Sequence, residues 1–151
     1  MPSGLEIPDF YVEELPDWIN VIAITKNGHF LIEEQYRHGI QKVCFELPAG
    51  DLELDEEPLD AAKRELEEET GYTGGEWISY GTYAPNASGC NNTCHSFLAI
   101  GVEKTTVPKL EPTEDIKIHI VTRDEIKEML LDGRIAEGVM QAPLWRYLLE
   151  N

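Results

Sequence analysis

The stretch GDLELDEEPLDAAKRELEEETGY, residues Gly50–Tyr72, decides how the rest of the chain is read. Pro58 suits the first turn of a helix, where its missing N–H is not needed, and Gly71 suits the position just past the end. The spacing predicts a helix over Pro58–Thr70. On it Leu59, Ala62 and Leu66 recur at helical intervals as the expected buried stripe, while Glu65, Glu68 and Glu69 stand at i, i+3 and i+4 on a neighbouring face. Carboxylates crowded into one patch repel one another, which raises their pKa values unless a cation neutralises them. Mg²⁺, or Mn²⁺ as a substitute, meets that need. Such hard cations take carboxylate oxygens, keep several waters and complete their shell with phosphate oxygens. A solvated acidic helix face is the bland alternative for any run of glutamates.

Fixed spacing favours the cation. Gly50, then Glu56 after five intervening residues, then Arg64 after seven more, followed by Glu65, Leu66, Glu68, Glu69, Gly71 and Tyr72, resembles the Nudix box. That box reads G-x5-E-x7-R-E-U-x-E-E-x-G-U, with U a bulky apolar residue, and every specified position is filled. The resemblance implies an α/β fold, a Nudix-type α/β/α sandwich with a mixed β-sheet between helices. It also implies an enzyme, a metal-dependent hydrolase of nucleoside diphosphates linked to another moiety. Upstream, Gln35-Tyr36-Arg37 and Glu46-Leu47-Pro48-Ala49-Gly50 look like the ADP-ribose and nucleoside-diphosphate-sugar pyrophosphatase branch, and Pro85 beyond the box agrees with it.

Site roles follow residue by residue from that resemblance. Glu65 and Glu69 would bind metal together with the Ala49 carbonyl. Glu68 would be a further ligand or would orient the nucleophile. Arg64 would hold the glutamates by ion pairing, its alternative being an ordinary i, i+4 bridge to Glu68, and Glu56 would stand behind it. Arg37 would contact substrate and Glu46 would shape the site, against the alternatives of a surface arginine and a simple ion-pair partner. An acidic loop before a late strand supplies a ligand and a candidate base in this branch. Glu114 falls on the ligand position, and Pro112 beside Glu111 stands at the other.

A chain of 151 residues suits one domain with its own core, residues 1–151, with residues 1–17 as a short N-terminal segment. The net charge of −17, from 29 acidic and 12 basic residues, opposes binding to nucleic acid or anionic membranes and points to a small phosphorylated partner that arrives with metal. Neither a signal-peptide pattern nor a membrane-length apolar run is present, so a cytoplasmic location is expected. Cys44, Cys90 and Cys94 are read as free thiols. The resemblance implies a homodimer, often built in this branch with a longer N-terminal region. Trp18, Trp77 and Trp145 are read as core or interface.

Along the chain, Asp9–Leu15 is an expected edge strand between prolines. Trp18–Thr25 reads as a buried strand, Asn27-Gly28 as a two-residue hairpin turn and Phe30–Tyr36 as the partner strand. Val43–Leu47, Glu76–Ala84, Thr93–Val102 and Ile116–Val121 read as further strands, the last with Ile116, Ile118 and Ile120 alternating inward. Glu103–Thr113 reads as a polar rim loop. Thr122 with Glu125 forms a capping box for a helix over Arg123–Leu131. A last helix lies within Glu137–Glu150, started or kinked by Pro143. A house-cleaning pyrophosphatase of nucleoside triphosphates or oxidised nucleotides is the alternative enzyme. A nucleotide sensor without hydrolysis ranks below both, because all the carboxylates are retained.

Overall fold

A hairpin that splays open holds the molecule together. The computed structural model describes all 151 residues. Strands β1 (Trp18–Thr25) and β2 (Phe30–Arg37) follow their apolar runs, but they pair with each other only at Ile24 and Phe30, beside the loop. Thr25 N donates to His29 O and Gly28 N to Thr25 O, with Gly28 at φ 77°. The connection is therefore a three-residue loop closed by a left-handed glycine, not the expected two-residue turn.

Beyond Ile24 the strands diverge, and the chain that follows fills the gap between them. Strand β3 (Lys42–Glu46) pairs with β2 and β4 (Ala49–Asp51) pairs with β1, while Pro48 O accepts from Val21 N in between. Glu46-Leu47-Pro48-Ala49 thus crosses from one strand of the opened hairpin to the other. The remaining strands are β5 (Tyr72–Thr73), β6 (Glu76–Tyr83), β7 (Cys94–Lys104) and β8 (Lys117–Val121). β7 runs parallel to β1 and pairs with β5 and β6 antiparallel, and β8 lies on the outer edge of β2. The result is a mixed eight-stranded sheet.

Helices cover both faces, as expected. Helix α1 (Pro58–Glu65) packs Ala61, Ala62 and the following Leu66 against Ile19, Val21 and Leu31. Helices α2 (Arg123–Leu131) and α3 (Gly138–Glu150) pack Ile126, Met129, Met140 and Leu144 against Ile22 and Phe30 on the opposite face. Strand alternation explains the division, because odd and even positions of β1 and β2 point to opposite sides. The capping box is present: Thr122 Oγ1 accepts from Glu125 N, and Glu125 Oε2 accepts from Thr122 N at 2.7 Å.

Several expectations need correction. The helix Pro58–Thr70 is α-helical only to Glu65, and Leu66–Thr70 is a wider π-helical turn. Leu59 is 37% exposed, and Ala61 takes its place in the buried stripe. Asp9–Leu15 forms no strand, only one bridge between Glu13 and Cys90, because its prolines and exposed apolar residues leave nothing to pair along. Ile120 is exposed at the sheet edge, whereas His119 tucks against Phe45. The three tryptophans are half-buried and flank the core rather than fill it.

Pro143 lies inside α3 and neither starts nor ends it. A proline there leaves the carbonyl four residues earlier without its helical donor. That carbonyl is Val139 O, and it accepts instead from Nδ2 of the buried Asn20 at 3.0 Å. Asn20 Oδ1 in turn accepts from Ser96 Oγ, so all three buried groups are satisfied.

Candidate active site

The acidic face of α1 and its π turn is built around one cation. Arg64 Nε and one terminal nitrogen donate to the two oxygens of Glu56 at 2.9 and 2.8 Å. The other terminal nitrogen donates to Glu65 at 2.7 Å and Glu68 at 3.3 Å, and Asp51 O accepts a further bond at 3.2 Å. Arg64 thus pairs with Glu56, Glu65 and Glu68, and the i, i+4 bridge to Glu68 is its longest carboxylate contact. Its hydrogen bonds to Glu56 raise the guanidinium pKa further, and the same bonds hold the Glu56 carboxyl below its usual range. Glu65 moves the other way, because burial outweighs its bond to Arg64.

Gly50 lies directly beneath Glu65, where an added Cβ would overlap the Glu65 carboxylate. The next residue of the set, Glu69, is 6% exposed and its Oε2 accepts from Ala49 N at 3.0 Å. The crossing segment between the splayed strands thus sits against the helix, with Ala49 and Gly50 meeting Glu69 and Glu65. Glu68 points outward, its side chain 44% exposed. The π turn ends at Gly71, whose φ of 74° lets the chain reverse. A side chain at Gly71 would collide with Thr106 O.

That reversal recruits the rim loop. Gly71 O accepts from Thr105 N and Thr106 N, and Glu68 O accepts from Lys109 N at 2.7 Å. The loop is thereby laced to the end of the helix, and it carries Glu111 and Glu114 to the site. Glu111 N donates to Glu114 Oε2 at 2.7 Å and Glu114 N to Glu111 O at 3.0 Å, a closed local turn.

Arg37 and Glu46 come together from β2 and β3. Arg37 makes a forked pair with Glu46 through Nε at 2.9 and 3.0 Å and a terminal nitrogen at 2.6 Å. Glu46 is 2% exposed, while the Arg37 side chain is 46% exposed. Glu46 therefore anchors the arginine from below and leaves its outer edge free.

Two cavities adjoin here. One of about 340 Å³ is lined by Arg64, Glu65, Glu68, Glu69, Lys109 and Glu111 among others. One of about 760 Å³ is lined by Trp18, Arg37, His38, Ile40, Glu46 and Glu137 among others. Ala49, Gly50, Asp51, Glu69 and Glu114 line both, so the carboxylates stand at the junction. Small acidic space opening on a larger, partly apolar one suits a charged reacting group attached to an organic moiety.

One residue escaped the sequence reading. Glu33, on β2, is 3% exposed and lies beside Glu69, and it stands directly across the strand pair from Glu46. Burial pushes its pKa up to about 8, and Glu69 is likewise raised by burial and by Glu33. The signal was available, because Glu33 shares the strand parity of Leu31, which packs beneath α1. Trp18, His38 and Glu137 of the larger cavity carried no such signal.

The donor set suits a hard divalent cation. Buried carboxylates that touch need a positive charge or a shared proton, and Glu33 Oε1 is reached by no protein donor. No three ligand side chains converge on a single point, because Glu65 is drawn to Arg64 and Glu69 to Ala49 N. Holding a cation therefore requires these two side chains to turn from their present partners.

A family model described as NUDIX domain matches residues 16–140. A methanol dehydrogenase activator of Bacillus methanolicus is 35% identical over 126 residues, covering 82% of this chain and 67% of that protein. An ADP-ribose pyrophosphatase of Bacillus subtilis (strain 168) is 37% identical over 119 residues, covering 76% of this chain and 63% of its own length. An ADP-ribose pyrophosphatase of Saccharomyces cerevisiae is 31% identical over 149 residues, covering 83% and 64%. The chain thus spans about two thirds of the length of the curated relatives it matches. The crystal structure of an ADP compounds hydrolase superposes with a TM-score of 0.78 at 18% identity, over 89% of this chain and 72% of that one, a likeness of fold.

Proposed function

The chain belongs to the Nudix family, and from that premise we propose that it hydrolyses the diphosphate of a nucleoside diphosphate linked to another moiety, ADP-ribose or a related nucleotide sugar, releasing a nucleoside monophosphate. The observation that carries this reading is the junction of the two cavities, where Glu65 and Glu69 border the small one and Arg37 faces the large one. The large cavity offers room for an organic moiety beside the carboxylates, and the ADP-ribose pyrophosphatases among the relatives favour a nucleotide sugar over a nucleoside triphosphate.

Mg²⁺, with Mn²⁺ as substitute, would be held by Glu65, Glu69 and the Ala49 carbonyl with Glu68 beside them, and when bound supplies charge neutralisation and an acidified water. Arg64 holds Glu56 and Glu68 in place and keeps Glu65 beside the site, from which Glu65 would turn to a cation. Arg37, anchored by Glu46, offers its free edge to a substrate phosphate or sugar oxygen. Of the carboxylates that could take the proton, Glu114 alone among Glu68, Glu111 and Glu114 lines both cavities. We assign it the base, with Glu68 orienting the water and Glu111 holding the turn.

The proposed assembly is a cytoplasmic homodimer. Phe10, Tyr11 and Val12 expose apolar surface on the N-terminal segment, which favours a covering partner. Three free cysteines suit a reducing compartment, and no helix is long and apolar enough to cross a membrane. A monomeric mass in sedimentation would remove the dimer.

The decisive experiment is a product-resolved screen of ADP-ribose, ADP-glucose, GDP-mannose, NADH and nucleoside triphosphates with Mg²⁺, repeated for E65Q, E69Q and E114Q. ADP-ribose or a nucleotide sugar is expected to turn over fastest, with loss in all three variants and unchanged folding by circular dichroism. Preferential turnover of triphosphates would replace the substrate, and full activity of E65Q or E69Q would remove the site.

A further inference from the structure

The four carboxylates of the motif are not the whole acidic set. Glu33 enters from the sheet beneath α1, on the face that also carries Leu31 and Gln35, and lies beside Glu69, whose Oε2 accepts from Ala49 N. It is 3% exposed, and no N–H or O–H donor of the protein reaches its Oε1. Arg37 directs its hydrogen bonds to cross-strand Glu46, so that pair provides no hydrogen-bond donor to Glu33.

A buried carboxylate oxygen without a donor is costly, and more so when the group is charged. An apolar side chain at this position, continuing Leu31, would pack beneath the helix at no such cost. The neighbour on the opposite face shows the contrast: Glu34 is fully engaged by Lys117 at 3.0 Å and His119 at 2.8 Å.

We propose that Glu33 is a further carboxylate of the cation site, binding the divalent ion through Oε1 directly or through one of its waters, from the sheet floor opposite Glu69. The inference rests on the metal-dependent reading above. It extends that site from one helix to two elements of secondary structure, which fixes the ion against the sheet as well as the helix. Ligands on a rigid strand lose little freedom on binding, so the strand contribution sharpens affinity rather than merely adding charge.

The test is Mn²⁺ binding without substrate, read by electron paramagnetic resonance of the free ion and by Mn²⁺-induced thermal stabilisation, for the unaltered chain, E33Q, E34Q and E65Q. Melting in chelator certifies that each variant folds. E33Q is expected to lose at least about tenfold in Mn²⁺ affinity, within the range for groups that support a metal. E34Q removes the same charge one residue away, on the other face, and is expected to bind as the unaltered chain does. A loss below about threefold in E33Q while E65Q loses binding, or an equal loss in E34Q, would overturn the proposal and leave the helix site standing. No Mn²⁺ binding by the unaltered chain would remove the metal reading and the proposal together.

Discussion

Replacing Arg64 with methionine keeps the length of the side chain and removes the one cation that joins Glu56, Glu65 and Glu68. The Arg64 side chain is 25% exposed, and its partners Glu56 and Glu65 are 16% and 14% exposed. Hydrogen bonds to charged groups contribute about 1.5–3 kcal/mol each, and breaking a buried pair costs about 3–5 kcal/mol. The Glu68 arm is long and half exposed, so it adds little. The partial burial of the other two places the expected loss near 3 kcal/mol, which lowers Tm by about 6–12 °C for a domain of this size.

Urea denaturation in chelator at pH 8 measures it, with a double-mutant cycle against Glu56→Gln. A coupling energy of about 1.5 kcal/mol or more is expected. The sign with pH follows from Glu56, whose folded pKa is depressed below 4.5 chiefly by its bonds to Arg64. Its stabilisation is present above the unfolded value and is lost as pH falls through the folded one, so the deficit of the variant should shrink below pH 4. A deficit under about 0.5 kcal/mol at pH 8, or a coupling near zero, would show that the arginine does not hold the acidic face together.

The carboxylates beneath the helix predict the opposite pH trend. Glu33 is raised from 4.5 to about 8, and Glu69 and Glu65 are raised as well, each chiefly by burial. The folded state therefore holds protons that the unfolded chain releases near 4.5, and this stability is complete below that pH and lost as pH rises through the folded values. In chelator, unfolding free energy should fall between about pH 5 and 8 by an amount on the order of a few kcal/mol, and Mn²⁺ should flatten the decline; a flat profile in chelator would contradict the burial of the pair. Asn20→Leu should cost about 2–3 kcal/mol in urea titration, because Val139 O and Ser96 Oγ lose their partner. Pro143→Ala restores a helical donor to Val139 O, so the same change in that background should cost about 1 kcal/mol less; equal losses would mean that the proline is tolerated for another reason.

Much of the layout is legible in the sequence because its causes are local. Pro58, Gly71, the Thr122 and Glu125 cap and the apolar runs of β1 and β2 each act within a few residues. The errors cluster where a neighbour from elsewhere intervenes. Leu59 has the right period but faces away from the sheet, and the final turn of the motif helix widens where Gly71 and the rim loop are laced together. Asp9–Leu15 has strand-like residues but bonds only to the Gly89–Asn91 loop, through Glu13 and Leu15. The candidate site divides in the same way. Glu65, Glu68 and Glu69 are close because a helix makes them so, whereas Glu111 and Glu114 reach them through backbone bonds to Gly71 and Glu68.

The sequence by itself determined the carboxylate row, its arginine and the turn that ends it, since helical geometry brings residues three and four apart together whatever surrounds them. Only the tertiary structure decided which glutamates are buried and what each one faces. Arg37 meets Glu46 because two strands pair, Glu33 meets Glu69 because a helix lies on the sheet, and Val139 meets Asn20 across 119 residues of chain. Burial and long-range pairing set the charge each group can carry, and neither has a period that can be read along a chain.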